Sequence, residues 1–483
     1  MKTIYFGFIA MILPKLSLAQ NIAVQDSIPE IQLEEVKLAG LRIDEDQPFS
    51  FSNIDKEELA SRNLGQDLPI MLNFLPGVVT TSDAGAGIGY TGIRVRGSDA
   101  TRVNVTINGI PYNDSESQGV YWVNMPDFTS SVSSFQIQRG VGTSTNGSGA
   151  FGASINLLTD EVSRNAYAEI ANTVGSFNSL KHNLKFSTGL LNNHFEISGR
   201  LSKITSNGYV ERASSDLKSY FLQAAFQDEN TLIKALVFGG HEITYQSWFG
   251  VDKNTLDTNR QYNPAGEIYD DNGNLEGHYD NQEDNYRQDH YQLHWNQKID
   301  AYTSLSLGLN YTYGRGYYEE YKDLWFEQNI NFSSDNNFSY LGLKPVKIEG
   351  TIIDTTENIV RKWLDNDYYV ATFSLNRQKG NTEWSLGTLY SRYVGDHFGE
   401  LIFAHYAPSI SPRHRFYENQ GNKKEGNVYA KVNHRFNDRI SGYLDLQYRG
   451  ISYTADGKLK GPEPINIDEN YGFFNPKAGL VYT

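Results

Sequence analysis

From residue 164 onward, apolar and polar residues alternate along the chain in a series of separate segments. The clearest is 304–314, in which Leu305, Leu307 and Leu309 alternate with serine, glycine and asparagine. A period of two residues is typical of a β-strand that presents one face to an apolar phase and the other to water. We count about twelve such segments and predict a β-sheet protein in this part of the chain.

The segments are joined by links of two kinds that alternate in length. The tight polar links are 191–193, 228–230, 300–302, 380–381 and 437–438, and the longer ones are 204–216, 241–283, 317–364, 396–424 and 454–470. Short turns at one end and long loops at the other are typical of an up-and-down transmembrane barrel. A soluble β-sandwich or propeller is the alternative, but neither requires this alternation.

Residues 45–160 have a different pattern, which predicts a compact mixed α/β domain. Leu68, Met71, Leu72 and Leu75 share one face of a short helix that ends before Pro76-Gly77. Several period-two strands follow, and Asn108-Gly109 is the dipeptide most typical of a two-residue hairpin turn. We therefore expect a separate small domain before the long series of strands.

Four motifs in this region occur in a recognisable order. They read DLPIMLNFLPGV, IRVRG, VTINGIPYND and IQRGVGTSTNGSGAFGASINLLT. In this order they resemble the plug of TonB-dependent outer-membrane receptors. The resemblance implies a mixed α/β globular plug (45–160) inside an all-β transmembrane antiparallel barrel (161–483). Since the family barrel has 22 strands, we expect about 12 of them here and interpret the chain as a fragment.

The N-terminus has the features of an export signal. Lys2 precedes a short apolar stretch, and Ser17-Leu18-Ala19 places small residues where a signal peptidase cleaves. We predict a signal peptide at 1–19 and a leader at 20–44. In the leader, the resemblance implies an energy-coupling box that pairs as a strand with the periplasmic protein TonB. The matching residues are Leu33, Glu34, Glu35, Val36, Lys37 and Leu38, although a first strand of the plug would look the same.

The resemblance also implies positions for charged and aromatic residues. Arg96 and Arg139 match plug arginines that face barrel glutamates, with Glu383 as a candidate partner; the alternative is that the arginines are solvated or bound to backbone carbonyls. Ligand contacts are expected on the apical loops of the plug. The aromatic candidates are Tyr90, Tyr112, Tyr121 and Trp122, unless Tyr121 and Trp122 are buried against the barrel wall.

Composition narrows the classes of function. The chain contains 32 Tyr, 25 Phe and 43 Gly, a mixture expected of strands, aromatic girdles and turns. Its net charge of −15 argues against a nucleic-acid surface, and the absence of cysteine excludes thiolate chemistry. His290 and His294 share a predicted lumen face but lie too far apart to bind one ion, so we predict neither a metal site nor a cofactor.

We find no catalytic motif and expect no enzymatic activity. The resemblance implies active uptake of a scarce nutrient, a ferric siderophore or another metal chelate by family frequency, in the outer membrane of a Gram-negative bacterium. The expected partners are TonB, outer-membrane lipid and the chelate, with no nucleic acid. The alternatives are a SusC-like glycan importer, a cobalamin receptor and, more remotely, a barrel enzyme or an adhesin.

Overall fold

The computed structural model describes residues 42–43, 47–146, 151–325, 337–407, 410–459 and 463–482. The predicted signal peptide and the predicted coupling box at 33–38 lie outside the described residues. The chain divides into two compact units, 1–35 and 36–483, and every feature below belongs to the second unit.

The N-terminal domain is built on a five-stranded sheet in the order β1-β6-β7-β4-β5. Only the β4–β7 pair is parallel; the other pairs are antiparallel. A separate hairpin pairs β2 with β3. The elements are β1 (Ser50–Asp55), α1 (Lys56–Arg62), α2 (Leu68–Met71), β2 (Val78–Ser82), β3 (Thr91–Val95), β4 (Val103–Ile107), β5 (Ile110–Pro111), β6 (Val132–Arg139) and β7 (Ala153–Thr159). Short 3-10 turns occupy Ala100–Arg102, Trp122–Asn124, Phe128–Ser131 and Ser144–Asn146.

Local sequence explains the turns of this domain. Asn108 and Gly109 both have positive φ, at 52° and 82°, and join β4 to β5 as the dipeptide predicts. The helix predicted from the apolar spacing is shorter than expected, because α2 ends at Met71 and a turn follows. Leu72 and Leu75 nevertheless join Leu68 in the buried core, so the apolar face was predicted correctly and the helix length was not.

A twelve-stranded antiparallel sheet follows, with neighbours in the order β23-β22-β21-β20-β19-β16-β15-β12-β11-β10-β9-β8. This confirms the predicted strand-rich region. Its strands are β8 (Ala166–Gly175), β9 (Ser179–Thr188), β10 (Phe195–Ser206), β11 (Ser215–Gln227), β12 (Thr231–Tyr245), β15 (Glu283–Lys298), β16 (Thr303–Lys322), β19 (Asn358–Lys379), β20 (Thr382–Ala404), β21 (His414–Asn437), β22 (Ile440–Lys458) and β23 (Pro464–Tyr482). The links contain α3 (Lys253–Thr258), α4 (Asn337–Tyr340), β13 (Glu267–Tyr269), β14 (Leu275–His278), β17 (Val346–Ile348) and β18 (Thr351–Ile353).

The two faces of the large sheet differ as the alternation predicts. On β15, His290 and His294 are buried on the inner face, together with Gln292 and Asn296. Their neighbours Tyr291, Leu293 and Trp295 are exposed on the outer face. A polar interior and an apolar exterior are the arrangement that a bilayer requires of a barrel.

The strands are longer than the sequence indicated. The links expected at 396–424 and 454–470 contract to 405–413 and 459–463, because β20, β21, β22 and β23 continue through them. Roughly ten residues suffice to cross a bilayer, so these strands extend well beyond that length. The extended parts of these strands carry polar side chains and are held by backbone hydrogen bonds within the sheet. Alternation of apolar residues cannot predict such extensions, because it reports only the apolar face.

The apolar core of the N-terminal domain continues into the wall of the large sheet. Phe128 packs against Phe238 with ring centroids 5.1 Å apart, and Phe221 joins the same cluster. Close backbone approach is possible because β12 has glycine at 240, where a Cβ would lie 2.8 Å from the carbonyl oxygen of Asn124. The domain is therefore packed directly against the sheet. None of the helices in the described part of the chain is long and apolar enough to span a bilayer.

Candidate functional site

The first polar cluster between the domain and the sheet is centred on Asp127. This residue has positive φ and precedes the 3-10 turn Phe128–Ser131, which directs its fully buried side chain at the sheet. Lys181 Nζ on β9 lies 2.6 Å from one carboxylate oxygen, and Arg200 Nη1 on β10 lies 3.3 Å from the other. Ser202 Oγ also donates a hydrogen bond, at 2.6 Å.

These contacts fix the ionisation of Asp127. Burial by itself would raise the pKa of its carboxyl group, but Arg200 and Lys181 hold that pKa well below its usual range. Asp160, just after β7, has a similar environment: Lys185 Nζ lies 2.5 Å from its carboxylate and Lys56 Nζ lies 3.0 Å away. Domain carboxylates and sheet cations thus neutralise each other at this end of the interface.

The predicted arginine pair lies elsewhere on the N-terminal domain. Arg96 Nη2 donates to Ser50 Oγ at 3.2 Å, while Arg139 donates to Ser52 Oγ at 2.9 Å and to the Pro76 carbonyl at 3.2 Å. Both side chains are partly exposed, so water can solvate their charge without a carboxylate. Burial and the neighbouring charge of Arg96 lower the pKa of Arg139.

The described contacts of these arginines are with neutral oxygens, and the ion pair with Glu383 stays a prediction. Glu383 lies near the start of β20, opposite Asn433 of β21. The buried charge cluster of the interface has the opposite polarity to the one that the sequence suggested, because its acids come from the domain and its cations from the sheet.

The second feature is a cavity of about 490 Å³ between the domain and the ends of β12, β15, β16 and β19. Those strand ends carry the long links. The lining is rich in aromatic rings and carboxylates, and the domain contributes three of the four aromatic residues predicted for ligand contact. It comprises Tyr90, Tyr112, Asp114, Tyr121, Asn124, Glu242, Trp248, Asp284, Tyr286, Gln288, Gly316, Tyr317, Tyr318, Glu320, Lys362, Leu364 and Asn366.

Tyr90, which precedes β3, is central to the polar side of this cavity. Its hydroxyl donates a short hydrogen bond to Asp284 and lies 3.5 Å from Glu242 Oε1. Burial, followed by the charges of Glu242 and Asp284, raises the pKa of Tyr90 well above its usual value, so the hydroxyl keeps its proton. One proton cannot serve both carboxylates.

The rings form a continuous aromatic surface. The Tyr90 ring meets Trp248 edge-on with centroids 5.3 Å apart and meets Tyr121 at 6.5 Å. Trp248 in turn meets Tyr318 at 6.1 Å. Aromatic faces in a cavity of this size are typical of sites for small organic molecules.

Glu116 connects a loop beside the cavity to strands β20 and β22 of the sheet. Its carboxylate accepts from Tyr453 at 2.8 Å, from Tyr393 at 3.0 Å and from His397 Nε2 at 3.0 Å. Lys423 Nζ donates to the Ser115 carbonyl at 2.7 Å. These partners lie on β20, β21 and β22, so the loop is attached to three neighbouring strands of the sheet.

Comparison with known proteins is consistent with this geometry. The sequence profile of the TonB-dependent receptor plug domain matches residues 44–154. The large sheet and the domain within it match solved receptor structures over about nine tenths of this chain. The chain carries the plug and barrel fold of a TonB-dependent receptor. No curated protein matches it in sequence.

Three of the similar structures show the extent of the likeness. The ferric yersiniabactin uptake receptor FyuA from Yersinia pestis has a TM-score of 0.60 and 12% identity, covering 89% of this chain and 61% of its own. The ferric-catecholate import receptor Fiu from E. coli K12, in its open form, has a TM-score of 0.64 and 14% identity, covering 90% and 68%. The ferric preacinetobactin receptor BauA from Acinetobacter baumannii has a TM-score of 0.64 and 12% identity, covering 90% and 61%. This chain therefore spans about three fifths of the length of such receptors.

Trp122 does not join the other predicted ligand residues of the plug. Its indole is only 3% exposed and packs in the apolar core of the plug. The residue lies one position after Tyr121, where the 3-10 turn begins, so the two side chains point in different directions. The sequence alternative of burial is the one that the structure shows for Trp122, whereas Tyr121 faces the cavity.

Sequence reasoning missed the barrel side of both features. Lys181, Lys185 and Arg200 occupy lumen-facing positions on β9 and β10, and cations at that parity were a usable signal. Glu242 and Asp284 flank a long link and gave no such signal. Within the described ranges, no group of three or more His, Cys, Asp or Glu side chains is arranged to hold a metal ion.

Proposed function

We propose that this protein is an outer-membrane receptor that takes up a scarce metal chelate, in the first place a ferric siderophore, with energy from TonB. The observation that carries the proposal is the aromatic cavity between the plug and the long-link ends of the barrel strands. A plug packed against the barrel wall would hold a ligand there until energy displaces it. The proposal includes no catalytic step.

Two further observations support it. The outward residues of the barrel strands are apolar, as Tyr291, Leu293 and Trp295 illustrate, which suits an outer-membrane lipid environment. Several proteins with the same fold are named for ferric chelates, namely yersiniabactin, catecholates and preacinetobactin. Within the proposal, residues 33–38 are the segment that pairs with TonB by strand addition.

Uptake of radiolabelled ferric siderophores and of cobalamin, by cells that express the full-length gene, tests the proposal. Val36→Pro removes a backbone N–H and blocks strand pairing, and we expect it to reduce uptake by at least about tenfold. Val36→Thr retains strand propensity and is the matched control. Surface levels of both variants are measured by immunoblot. If neither Val36→Pro nor deletion of 31–38 changes uptake, the coupling role is contradicted. If the cells take up cobalamin and no ferric siderophore, the substrate is cobalamin rather than a ferric chelate.

A glycan importer is the second candidate. Aromatic faces together with carboxylate and amide oxygens, as at Tyr121, Trp248 and Asn366, can also stack on and hydrogen-bond a sugar ring. Growth on an oligosaccharide that requires the gene, without uptake of any ferric chelate, would favour this candidate over the first.

A further inference from the structure

Four of the side chains that line the aromatic cavity are carboxylates, which accept hydrogen bonds and cannot donate them when ionised. They include the carboxylates of Asp114, Glu242 and Asp284. Within the described part of the chain, the amide oxygen of Asn124 is also buried without a hydrogen-bond partner. Buried acceptor oxygens require donors, and a ligand in the cavity can supply them.

No described lysine or arginine contacts Glu242 or Asp284. Among the residues that line the cavity in the described part of the chain, Lys362 carries the sole positive charge, and its Nζ lies 2.8 Å from Glu320. The described contacts of Glu242 and Asp284 come from neutral donors. The Thr244 hydroxyl lies 3.3 Å from Glu242 Oε2, and the Tyr90 hydroxyl donates to Asp284.

Burial makes this arrangement costly. Glu242 is only 1% exposed, and a buried carboxylate without a counter-charge is strongly disfavoured. Tyr90 donates to Asp284 as a neutral hydroxyl, so its hydrogen bond adds no positive charge to the pair of carboxylates. A cation placed between them would relieve the repulsion and complete their hydrogen bonds.

The aromatic rings favour the same kind of ligand. The face of an aromatic ring carries the negative side of a quadrupole and attracts cations. Tyr317 and Tyr318 already have Arg361 and Lys362 over their rings, at 4.2 and 5.0 Å, and Trp248 is the further ring that can attract a cation of the ligand. An anionic chelate would instead meet several carboxylates at short range, with no unpaired cation among the described lining residues to compensate.

We infer that this cavity selects a ligand that presents a positively charged group, such as an ammonium, to Glu242 and Asp284. The inference rests on the proposed function, because it specifies the charge of the ligand taken up at the same site. The ligand class is therefore a cationic chelate or another organic cation rather than an anionic one.

Binding to the purified full-length protein in detergent tests the inference with one chelate in three charge states. The probe is the ferric complex of a linear trihydroxamate with a free terminal amine, which is cationic, together with its N-acetylated neutral form and its N-succinylated anionic form. We expect the cationic form to bind at least about tenfold more tightly than the anionic form, with the neutral form between them. Quenching of tryptophan fluorescence, to which Trp248 contributes, provides the readout.

Three variants locate the effect. Glu242→Gln and Asp284→Asn should each reduce the cationic preference severalfold. Tyr90→Phe removes the donor to Asp284 and should increase it. Asp216→Asn is the matched control, since it removes the same charge from a barrel carboxylate that pairs with Lys203 outside the cavity.

A second pair of probes separates this inference from the proposed function. Benzyltrimethylammonium and neopentylbenzene have the same shape and differ in charge. If the chelates bind without regard to charge, the inference is overturned and chelate uptake stands. If no chelate binds but the cation binds more tightly than its isostere, and Glu242→Gln abolishes that difference, the inference holds and the metal-chelate proposal fails. Equal binding of the two isosteres with no binding of any chelate contradicts both.

Discussion

Two of the carboxylate groups that lie where the plug meets the barrel differ in the side chains that they contact. Asp127 and Asp160 meet cations of the protein itself, from Lys181, Lys185 and Arg200, at 2.5–3.3 Å. Glu242 and Asp284 meet a tyrosine hydroxyl and a threonine hydroxyl. The two groups occupy one interface and have similar chemistry, yet only the first has positively charged partners among its described contacts.

The Asp127 and Asp160 clusters attach the plug to the barrel, whereas Glu242 and Asp284 line the cavity. A buried ion pair whose hydrogen bonds are all made is expensive to break, because removal of one partner leaves the other charge buried. A pair of carboxylates without a positively charged partner behaves in the opposite way: a cation that binds between the two groups stabilises the folded structure. Asp127 therefore attaches the plug to the barrel, whereas Glu242 belongs to the cavity for which we propose a cationic ligand.

The largest effect should follow from breaking the first group. Asp127→Ala leaves Lys181 and Arg200 without their counter-charge, and we expect the plug to lose on the order of 3–5 kcal/mol of stability. Urea titration followed by hydrogen exchange of plug amides measures it. Glu58→Ala is the control, because Glu58 pairs with Arg62 on the solvent side of α1 and its loss should change stability by no more than about 0.5 kcal/mol. Wild-type stability of Asp127→Ala would remove the distinction between the two groups.

A smaller effect should come from Asp67, a plug carboxyl that is 4% exposed and accepts a hydrogen bond from Thr91. Burial, only partly offset by this bond and by a backbone bond from Gly89, raises its pKa to about 8. The folded plug thus retains a proton that the unfolded chain releases above about pH 4, and plug stability falls as pH rises from about 4 to about 8.

Asp67→Asn should remove that pH dependence. At pH 8 the variant plug should be more stable than wild type by on the order of 1–3 kcal/mol, and near pH 4 the two should coincide. Thermal unfolding at several pH values provides the measurement. Parallel stability curves for the two proteins would show that Asp67 is ionised in the fold, and that a buried plug carboxyl needs no cation.

The smallest effect should come from Glu116, whose three donors lie on β20 and β22. Glu116→Gln retains one acceptor oxygen for Tyr393 or Tyr453, presents an NH2 donor to the other hydroxyl and loses the ion pair with His397; it should cost about 1 kcal/mol or less. Exchange protection of amides 112–120 reports it. Glu229→Gln, in the exposed turn between β11 and β12, is the control. A loss as large as that of Asp127→Ala would mean that loop and anchor are equally strong attachments.

Features set by local rules could be predicted from the sequence. The inner face of β15, with His290 and His294 buried, follows from the pleat, and the Asn108-Gly109 turn follows from positive φ. Of the four aromatic residues expected on the apical loops, Tyr90, Tyr112 and Tyr121 line the cavity, and their contact with a ligand stays a prediction. Trp122 is buried, which is the alternative that the sequence left open, because successive side chains of a 3-10 turn point in different directions.

Features set by tertiary contact could not be predicted. The pairing of Asp127 with Lys181 and Arg200 joins residues of separate domains, and no periodicity links them. The predicted pairing of Arg96 and Arg139 with Glu383 joins cations of the plug to an acid of the barrel and stays a prediction. The Asp127 cluster joins an acid of the plug to cations of the barrel. Charge parity on a lumen face identifies the barrel half of such a pair but not its partner.

The anchor has a consequence for how such receptors diversify. Both halves of the Asp127 and Asp160 clusters lie between β1 and β10, in one contiguous stretch of chain. Most of the barrel side of the cavity comes from later strands, at Asp284, Tyr318 and Lys362. Recombination after β10 would therefore exchange most of the barrel residues that line the cavity. The plug and the ion pairs that attach it to β9 and β10 would be inherited together.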